Sequence, residues 1–123
     1  LADRICFGDF VRSCSFHQSF QRCVTVHDTR GVLVKDNVAF NITGHCYFLE
    51  DASESFNTFD HNLGILMRPG SMIPSDDKPA VFWMTNLNNT WTNNTAVEGH
   101  FGFWVSLPEY PLGPSTARYS DPV

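Results

Sequence analysis

The sequence predicts an all-β chain wound as a parallel β-helix, and two observations lead there. The first is a period. Shifting the chain by 23 positions lays "FVRSCSFHQSFQRCVTVHD" over "LVKDNVAFNITGHCYFLED", so that Val11 meets Val34, Cys23 meets Cys46 and Asp28 meets Asp51. The second is local texture: short β-rich runs broken by Gly, Asn and Asp, with few stretches of helical period. Short strands recurring every 20-odd residues with no helix between them describe one coil per repeat, each stacked on the next at about 4.8 Å. An antiparallel sandwich with coincidental spacing is the alternative; the 23-residue match covers turns as well as apolar positions and favours the solenoid.

The copies can be followed in order. After 10–28 and 33–51, a third ("TFDHNLGILMRPGS", 58–71) follows a two-residue insertion, and "WTNNTAVEGHFGFWVS" (91–106) gives a fourth. Four to five uncapped coils over residues 1–107 are expected, with "LPEYPLGPSTARYSDP" as a Pro-rich loop (108–123) leaving the stack. No cap is legible at either end, so the chain reads as a fragment of a longer solenoid, with end-to-end self-association as a candidate behaviour. Asn37, Asn62 and Asn94 share one column and predict an Asn ladder at a turn, with Cys14 taking that place in the first coil. Such a stack satisfies amides that burial would otherwise penalise. Cys23 and Cys46 also stack in register, read as a cysteine ladder or free thiols, and a Cys6–Cys14 disulfide is the expected bridge. In "VTV" and "YFL", Val24, Val26, Tyr47 and Leu49 form the most uniformly apolar columns and are expected inside, leaving Cys46, Phe48 and Glu50 outside.

Composition excludes several classes. The 123 residues allow one domain; 42% are hydrophobic and 17% charged, enough for a core. Eight Lys+Arg against thirteen Asp+Glu give a net charge of −5, with no basic stripe for nucleic acid. No apolar run is long enough to span a bilayer, so any membrane attachment would lie in parts outside this chain. The four cysteines follow no CxxC zinc spacing. Three Asn-x-Thr acceptors, at Asn41, Asn88 and Asn93, point to a glycoprotein of the secretory pathway, extracellular or at the cell surface.

Several of these strings have a familiar order. "RCVTVHDTRGVLVKDNVAFNITGHCYFLED", then "NTFDHNLGIL", "PSDDKPAVFWMTNLNN" and "HFGFW", resemble the β-helical region of the cell surface hyaluronidase and cell-migration-inducing hyaluronan-binding protein family. They also resemble the related region of fibrocystin and fibrocystin-like receptors. The resemblance implies a right-handed parallel β-helix in a large extracellular or membrane-anchored glycoprotein that engages, and in one branch hydrolyses, hyaluronan-like polysaccharide. The chain is short between "PSD" and "FWMTN", as in the fibrocystins, which implies instead a non-catalytic scaffold, receptor or filament-forming protein.

A glycosidase reading names residues. Asp28 and Asp51, stacked about 5 Å apart at a turn, would push one carboxyl pKa upward and approach the spacing of retaining glycosidases. Glu50, Asp51 and Asp60 are then the candidate acid, base or nucleophile, with His45 and His61 as orienting groups. Arg12, Lys35 and Arg68 would attract a polyanion, and Trp83 and Trp104 would be sugar platforms. Beside each stands a structural reading: turn carboxylates cap backbone N–H groups or bind Ca²⁺, His45 is a hydrogen-bonded structural histidine, and aromatic columns fill a core. No cofactor is required on either reading.

Overall fold

The computed structural model describes residues 5–117. Four coils run through it, each built from three strands. The first comprises β1 (Phe10–Arg12), β2 (Ser15–His17) and β3 (Val24–Val26); the second β4 (Leu33–Lys35), β5 (Val38–Thr43) and β6 (Tyr47–Leu49). The third holds β7 (Thr58–Asp60), β8 (Leu63–Arg68) and β9 (Ala80–Met84), the fourth β10 (Thr90–Thr92), β11 (Thr95–Val97) and β12 (Phe101–Val105). Equivalent strands pair in parallel into three four-stranded sheets, β1-β4-β7-β10, β2-β5-β8-β11 and β3-β6-β9-β12. The 23-residue register is the one read from the sequence: Val11 pairs with Val34 and Val24 with Tyr47. The chain is a parallel β-solenoid of four turns.

Two kinds of corner set that shape. Between the first and second sheets one residue per coil takes the left-handed conformation: Ser13 (φ 56°), Asp36 (55°), His61 (54°) and Asn93 (55°). Non-glycine residues visit this region at a cost, least for Asn and Asp, whose short polar side chains bond locally. The next residue in each coil is the ladder position, Cys14, Asn37, Asn62 or Asn94. Asn94 Oδ1 accepts the Asn62 backbone N–H and side-chain amide, both at 3.0 Å. Asn62 serves Asn37 in the same way, and Asn37 Oδ1 accepts the Cys14 N–H at 3.0 Å. A second ladder, which the period had not suggested, stands at the corner between the third and first sheets. Asn57 Oδ1 accepts the Val32 N–H at 2.9 Å, and Asn89 Oδ1 accepts the Asn57 N–H at 3.0 Å.

Inside, like stacks on like. Tyr47, Phe82 and Phe103 form one ring column, with successive centroids 4.8 Å apart and planes within 9°. Phe59 lies under Trp91 at 4.0 Å. Val34, Ile42, Leu49, Phe59 and Phe82 are fully buried, each stabilising the fold by about 1.5–3 kcal/mol. The Tyr47 hydroxyl lies 3.2 Å from the Leu63 carbonyl and 3.3 Å from that of Asn37, and burial pushes its pKa up. Gly64 is the small member of the second sheet's inward column. A Cβ there would lie 2.2 Å from Val81 Cγ1, so only glycine fits.

Two expectations are corrected. The disulfide joins Cys23 to Cys46, and no Cys6–Cys14 bridge forms. The reason is register: both Cys23 and Cys46 precede a third-sheet strand in adjacent coils, with Cα atoms 4.7 Å apart, inside the range a disulfide spans. The segment after β12 also doubles back rather than leaving the stack. The Leu112 N–H donates to the Asp51 carbonyl at 2.8 Å, and buried Ser115 donates its hydroxyl to Asp51 Oδ2 at 2.9 Å.

Candidate functional site

The third sheet carries aromatics on both faces. In "AVFWM", Phe82 turns inward, so Trp83 turns outward, and register stacks it between Phe48 and Trp104. Phe48 and Trp83 lie 5.8 Å apart with planes at 21°, and Trp83 and Trp104 are 5.8 Å apart and nearly parallel, at 2°. Phe101 meets Trp104 edge-on at 4.4 Å. These tryptophans belong to the outer face, not the core, because the inward positions of the sheet are already filled by Phe82 and Phe103. They floor a groove of about 380 Å³ whose opposite wall is Pro74, Ser75, Asp77 and Lys78.

That wall is the insertion that lengthens the third coil, residues 69–79, tightened by a 3-10 turn at Pro74–Asp77. A single buried carboxylate moors it. Asp76 accepts Arg22 Nη1 and the Gln21 side-chain amide (3.0 Å), together with the backbone N–H groups of His45 (3.3 Å) and Ile73 (3.2 Å). Burial works to raise its pKa, but the hydrogen bonds from Arg22 and Gln21, with the Arg22 charge, outweigh it and hold the carboxyl below its usual value. Arg22 in turn places its guanidinium carbon over the Phe48 ring, 4.2 Å from the centroid. Gly44 (φ +74°) is needed there, since a Cβ would come within 2.8 Å of Asp76 Oδ1.

His45 is the centre of this mooring, fully buried. Its Nδ1 accepts the Ala80 N–H at 2.8 Å, which leaves Nε2 as the protonated nitrogen, 3.0 Å from Ser75 Oγ. Burial, then the Arg22 charge, lower its pKa to about 4, so the ring is neutral at neutral pH. A neutral imidazole already carrying its proton on Nε2 cannot take one from Ser75. His45 is a structural pin rather than a general base.

The remaining candidates are dispersed. Glu50 is exposed just after β6, whereas Asp51 is buried beneath the returning chain. The stacked pair Asp28–Asp51 is organised by a third acid absent from the sequence reading: Glu54 Oε1 accepts the backbone N–H of both Asp28 (2.9 Å) and Asp51 (3.1 Å). Glu54 is the carboxyl whose pKa rises, because it is fully buried. His27, Asp51 and Glu54 offer ligand atoms within 4.8 Å of one another. Hard cations take six to eight oxygens, and here the Glu54 oxygens accept backbone N–H groups.

At another corner, Asp60 accepts Lys35 Nζ (2.6 Å), Thr92 Oγ1 (3.0 Å) and Asn93 Nδ2 (2.9 Å). The Lys35 hydrogen bond foremost holds Asp60 down to about 2 and raises Lys35. His61 Nδ1 pairs with Asp36 at 2.7 Å. Arg12 sits over the Phe10 ring at 5.3 Å, in the first-sheet column that continues through Lys35 and Asp60. Arg68 borders a separate groove at the end of β8. Apart from His45, whose ring packs beneath Trp83 with centroids 4.3 Å apart, the catalytic and cationic candidates occupy three corners away from the tryptophans; Lys78 is the cation lining their groove.

Sequence reasoning missed Asp76, Glu54, Lys78 and the second ladder. The last left a signal: Asn57 and Asn89 stand five residues before Asn62 and Asn94. Asp76 and Lys78 lie in an insertion outside the period, where register says nothing.

Among the described residues no helix is long and apolar enough to cross a membrane. The family description "CEMIP beta-helix" matches residues 2–81 and 73–123. The human cell migration-inducing and hyaluronan-binding protein is 39% identical over 90% of this chain. Mouse fibrocystin-L is 40% identical over 91% of it, and the human cell surface hyaluronidase CEMIP2 39% identical over 87%. The chain spans 10%, 3% and 10% of those relatives' lengths. No solved structure matches it. Register, ladders and comparisons agree: the chain belongs to the CEMIP beta-helix family.

Proposed function

We propose that this chain is a β-helix segment of an extracellular or cell-surface glycoprotein and binds a hyaluronan-like polysaccharide along its third sheet, holding the polymer rather than cleaving it. The observation that carries this reading is the parallel Trp83–Trp104 pair flooring an open groove, with Lys78 on the wall. Aromatic faces suit the apolar faces of sugar rings, and an ammonium beside them suits a uronate carboxylate. Successive platforms along the solenoid axis match an extended polymer. The names of two relatives, a hyaluronan-binding protein and a cell surface hyaluronidase, supply the polymer class. The disulfide and the three glycan acceptors support the secretory location.

Titration with hyaluronan oligosaccharides, followed by tryptophan fluorescence and calorimetry, tests the proposal. Trp83→Ala and Trp104→Ala are expected to weaken binding about tenfold each, and Lys78→Ala about threefold, on the scale of single stacking and ion-pair contacts. Binding that ignores all three substitutions would sink it.

The non-cleaving part rests on the acids. Asp60 is tied to Lys35, Glu54 to backbone, and Asp51 to Ser115, and none of these three lines the groove; Asp77 is the one acid among its lining residues, where glycoside hydrolysis uses a pair. Glu50→Gln and Asp51→Asn are expected to leave any hyaluronan depolymerisation by the whole protein unchanged. A folded variant that lost that activity would place the chemistry on this coil.

A further inference from the structure

The turn between β2 and β3 holds a feature that polymer binding does not use. Phe20 is 92% exposed at the tip of a tight turn. The turn is fixed: Ser19 Oγ donates to the Gln21 carbonyl at 2.9 Å and accepts the Gln21 N–H at 3.3 Å. The Ser19 carbonyl in turn accepts the Thr43 N–H at 3.0 Å, so the turn is fastened to the coil above. An aromatic ring on a rigid support, facing solvent, costs free energy unless something covers it.

Beside it lies an open groove of about 320 Å³ lined by Gln18, Ser19, Phe20, Asn41, Thr43 and Arg68. Asn41 and Thr43 are the first and third residues of Asn-Ile-Thr. Ala39 and Ile42 both face the core although three positions apart, so β5 carries an extra residue outside. Asn41 is that residue, at φ 60°. Among the described residues no hydrogen bond engages its carboxamide, whereas that of Asn93 donates to Asp60 at 2.9 Å. The acceptor amide is thus presented, unengaged, into a groove with an uncovered aromatic wall.

We propose that Asn41 carries an N-linked glycan whose first N-acetylglucosamine residue lies in this groove against Phe20. The inference rests on the secretory reading above. In the transfer, Asn41 Nδ2 attacks the anomeric carbon of a lipid-diphosphate-linked oligosaccharide. The C–N bond forms, the C–O bond to the diphosphate breaks, the lipid diphosphate leaves and Nδ2 gives up one proton. In the folded chain the sugar's C–H face covers the Phe20 ring, and Arg68 offers donors to its hydroxyl and acetamide oxygens.

The test uses the full-length protein secreted by cultured animal cells. Glycopeptide mass spectrometry reports occupancy at Asn41, Asn88 and Asn93. Digestion of the folded protein with an amidase that hydrolyses the glycan–Asn bond reports how well each first sugar is shielded. Asn41 is expected to be occupied, and its glycan released roughly fivefold more slowly than that at Asn88, the protection one stacking contact confers. Phe20→Ala should abolish the difference and Phe20→Trp restore it; Phe20 is exposed enough that neither variant should impair secretion. An unmodified Asn41 beside an occupied Asn88 or Asn93 would overturn the site and leave the secretory reading standing. A secreted chain with no N-glycan at any of the three would overturn the site and leave the secretory location standing, whereas a chain retained inside the cell with none would remove both. An occupied Asn41 released as fast as Asn88, whatever stands at residue 20, would overturn the aromatic seat. None of these readouts involves Trp83 or Trp104, so failure here is distinct from failure of polymer binding.

Discussion

Asn62 Oδ1 accepts two N–H groups of Asn37 at once, the backbone amide at 3.2 Å and the side-chain amide at 2.9 Å. One oxygen therefore fixes both the path of the coil before it and the rotamer of the next rung. Asn62 also donates to the Val34 carbonyl at 2.9 Å and is itself buried. Asn62→Ala should orphan donors on Asn37 and an acceptor on Val34, costing about 3 kcal/mol of stability. Asn94→Ala, at the partly exposed rung of the fourth coil, should cost nearer 1 kcal/mol, because water can replace the lost partner. Urea unfolding of the two variants checks the ratio; equal losses would mean the ladder is not the stabilising element.

Stability should fall in acid through His45. Its folded pKa is about 4 against an ordinary 6.5. The unfolded chain takes the proton first, so the folded state is penalised as pH drops from 6.5 to about 4, by about 3 kcal/mol in total, and this contribution is flat above 6.5. Protonating Nδ1 also breaks the Ala80 N–H bond that starts β9. The charged groups facing the ring are Arg22, which opposes protonation, and Asp76, which favours it. Glu54 works the other way, since a raised carboxyl gains stability as pH falls. The comparison is therefore wild type against His45→Gln at pH 7, 5.5 and 4.5: the variant should be less stable at pH 7 but show a flatter difference. Parallel pH profiles would count against the neutral pin.

Reducing the Cys23–Cys46 bridge should cost about 3 kcal/mol, the loop-closure value for its 23-residue separation. Cys23→Ser with Cys46→Ser should match the reduced wild type in denaturant midpoint. Adding reductant to the double variant should change nothing.

Asp76→Asn should detach the groove wall. The carboxylate neutralises the largely covered Arg22 and collects four donors; removing its charge leaves the guanidinium uncompensated, at about 3 kcal/mol. Limited proteolysis near residues 70–78 should accelerate well before the coils unfold, and oligosaccharide affinity should fall with it.

The solenoid was legible because its constraints repeat. A parallel ladder puts residue n beside residue n+23, so Val11–Val34 or Cys23–Cys46 can be seen by sliding the text. The Asn37–Asn62–Asn94 column survived even where coil length changed. The site was far less legible, for the same reason. Asp76 reaches Arg22 and Gln21 across 54 and 55 residues from within an insertion that no other coil shares. Glu54 acts on the corners of two coils at once. Trp83 and Trp104 were visible as residues, but which face they occupy depends on the strand phase set by Phe82, and alternation in "AVFWM" is apolar on both faces. The Cys6–Cys14 pairing failed because nearness in sequence is not nearness in register.

The bridge between Cys23 and Cys46 is covalent mortar between the first and second coils only; the described coils beyond are joined by hydrogen bonds, amide rungs and stacked rings. Under tension along the axis the joints between the described coils are unequal. Those held by the Asn94 and Asn89 rungs should part first, while the bridged pair stays wound. A β-solenoid built this way yields to force in a fixed order, and the disulfide decides where the unwinding stops.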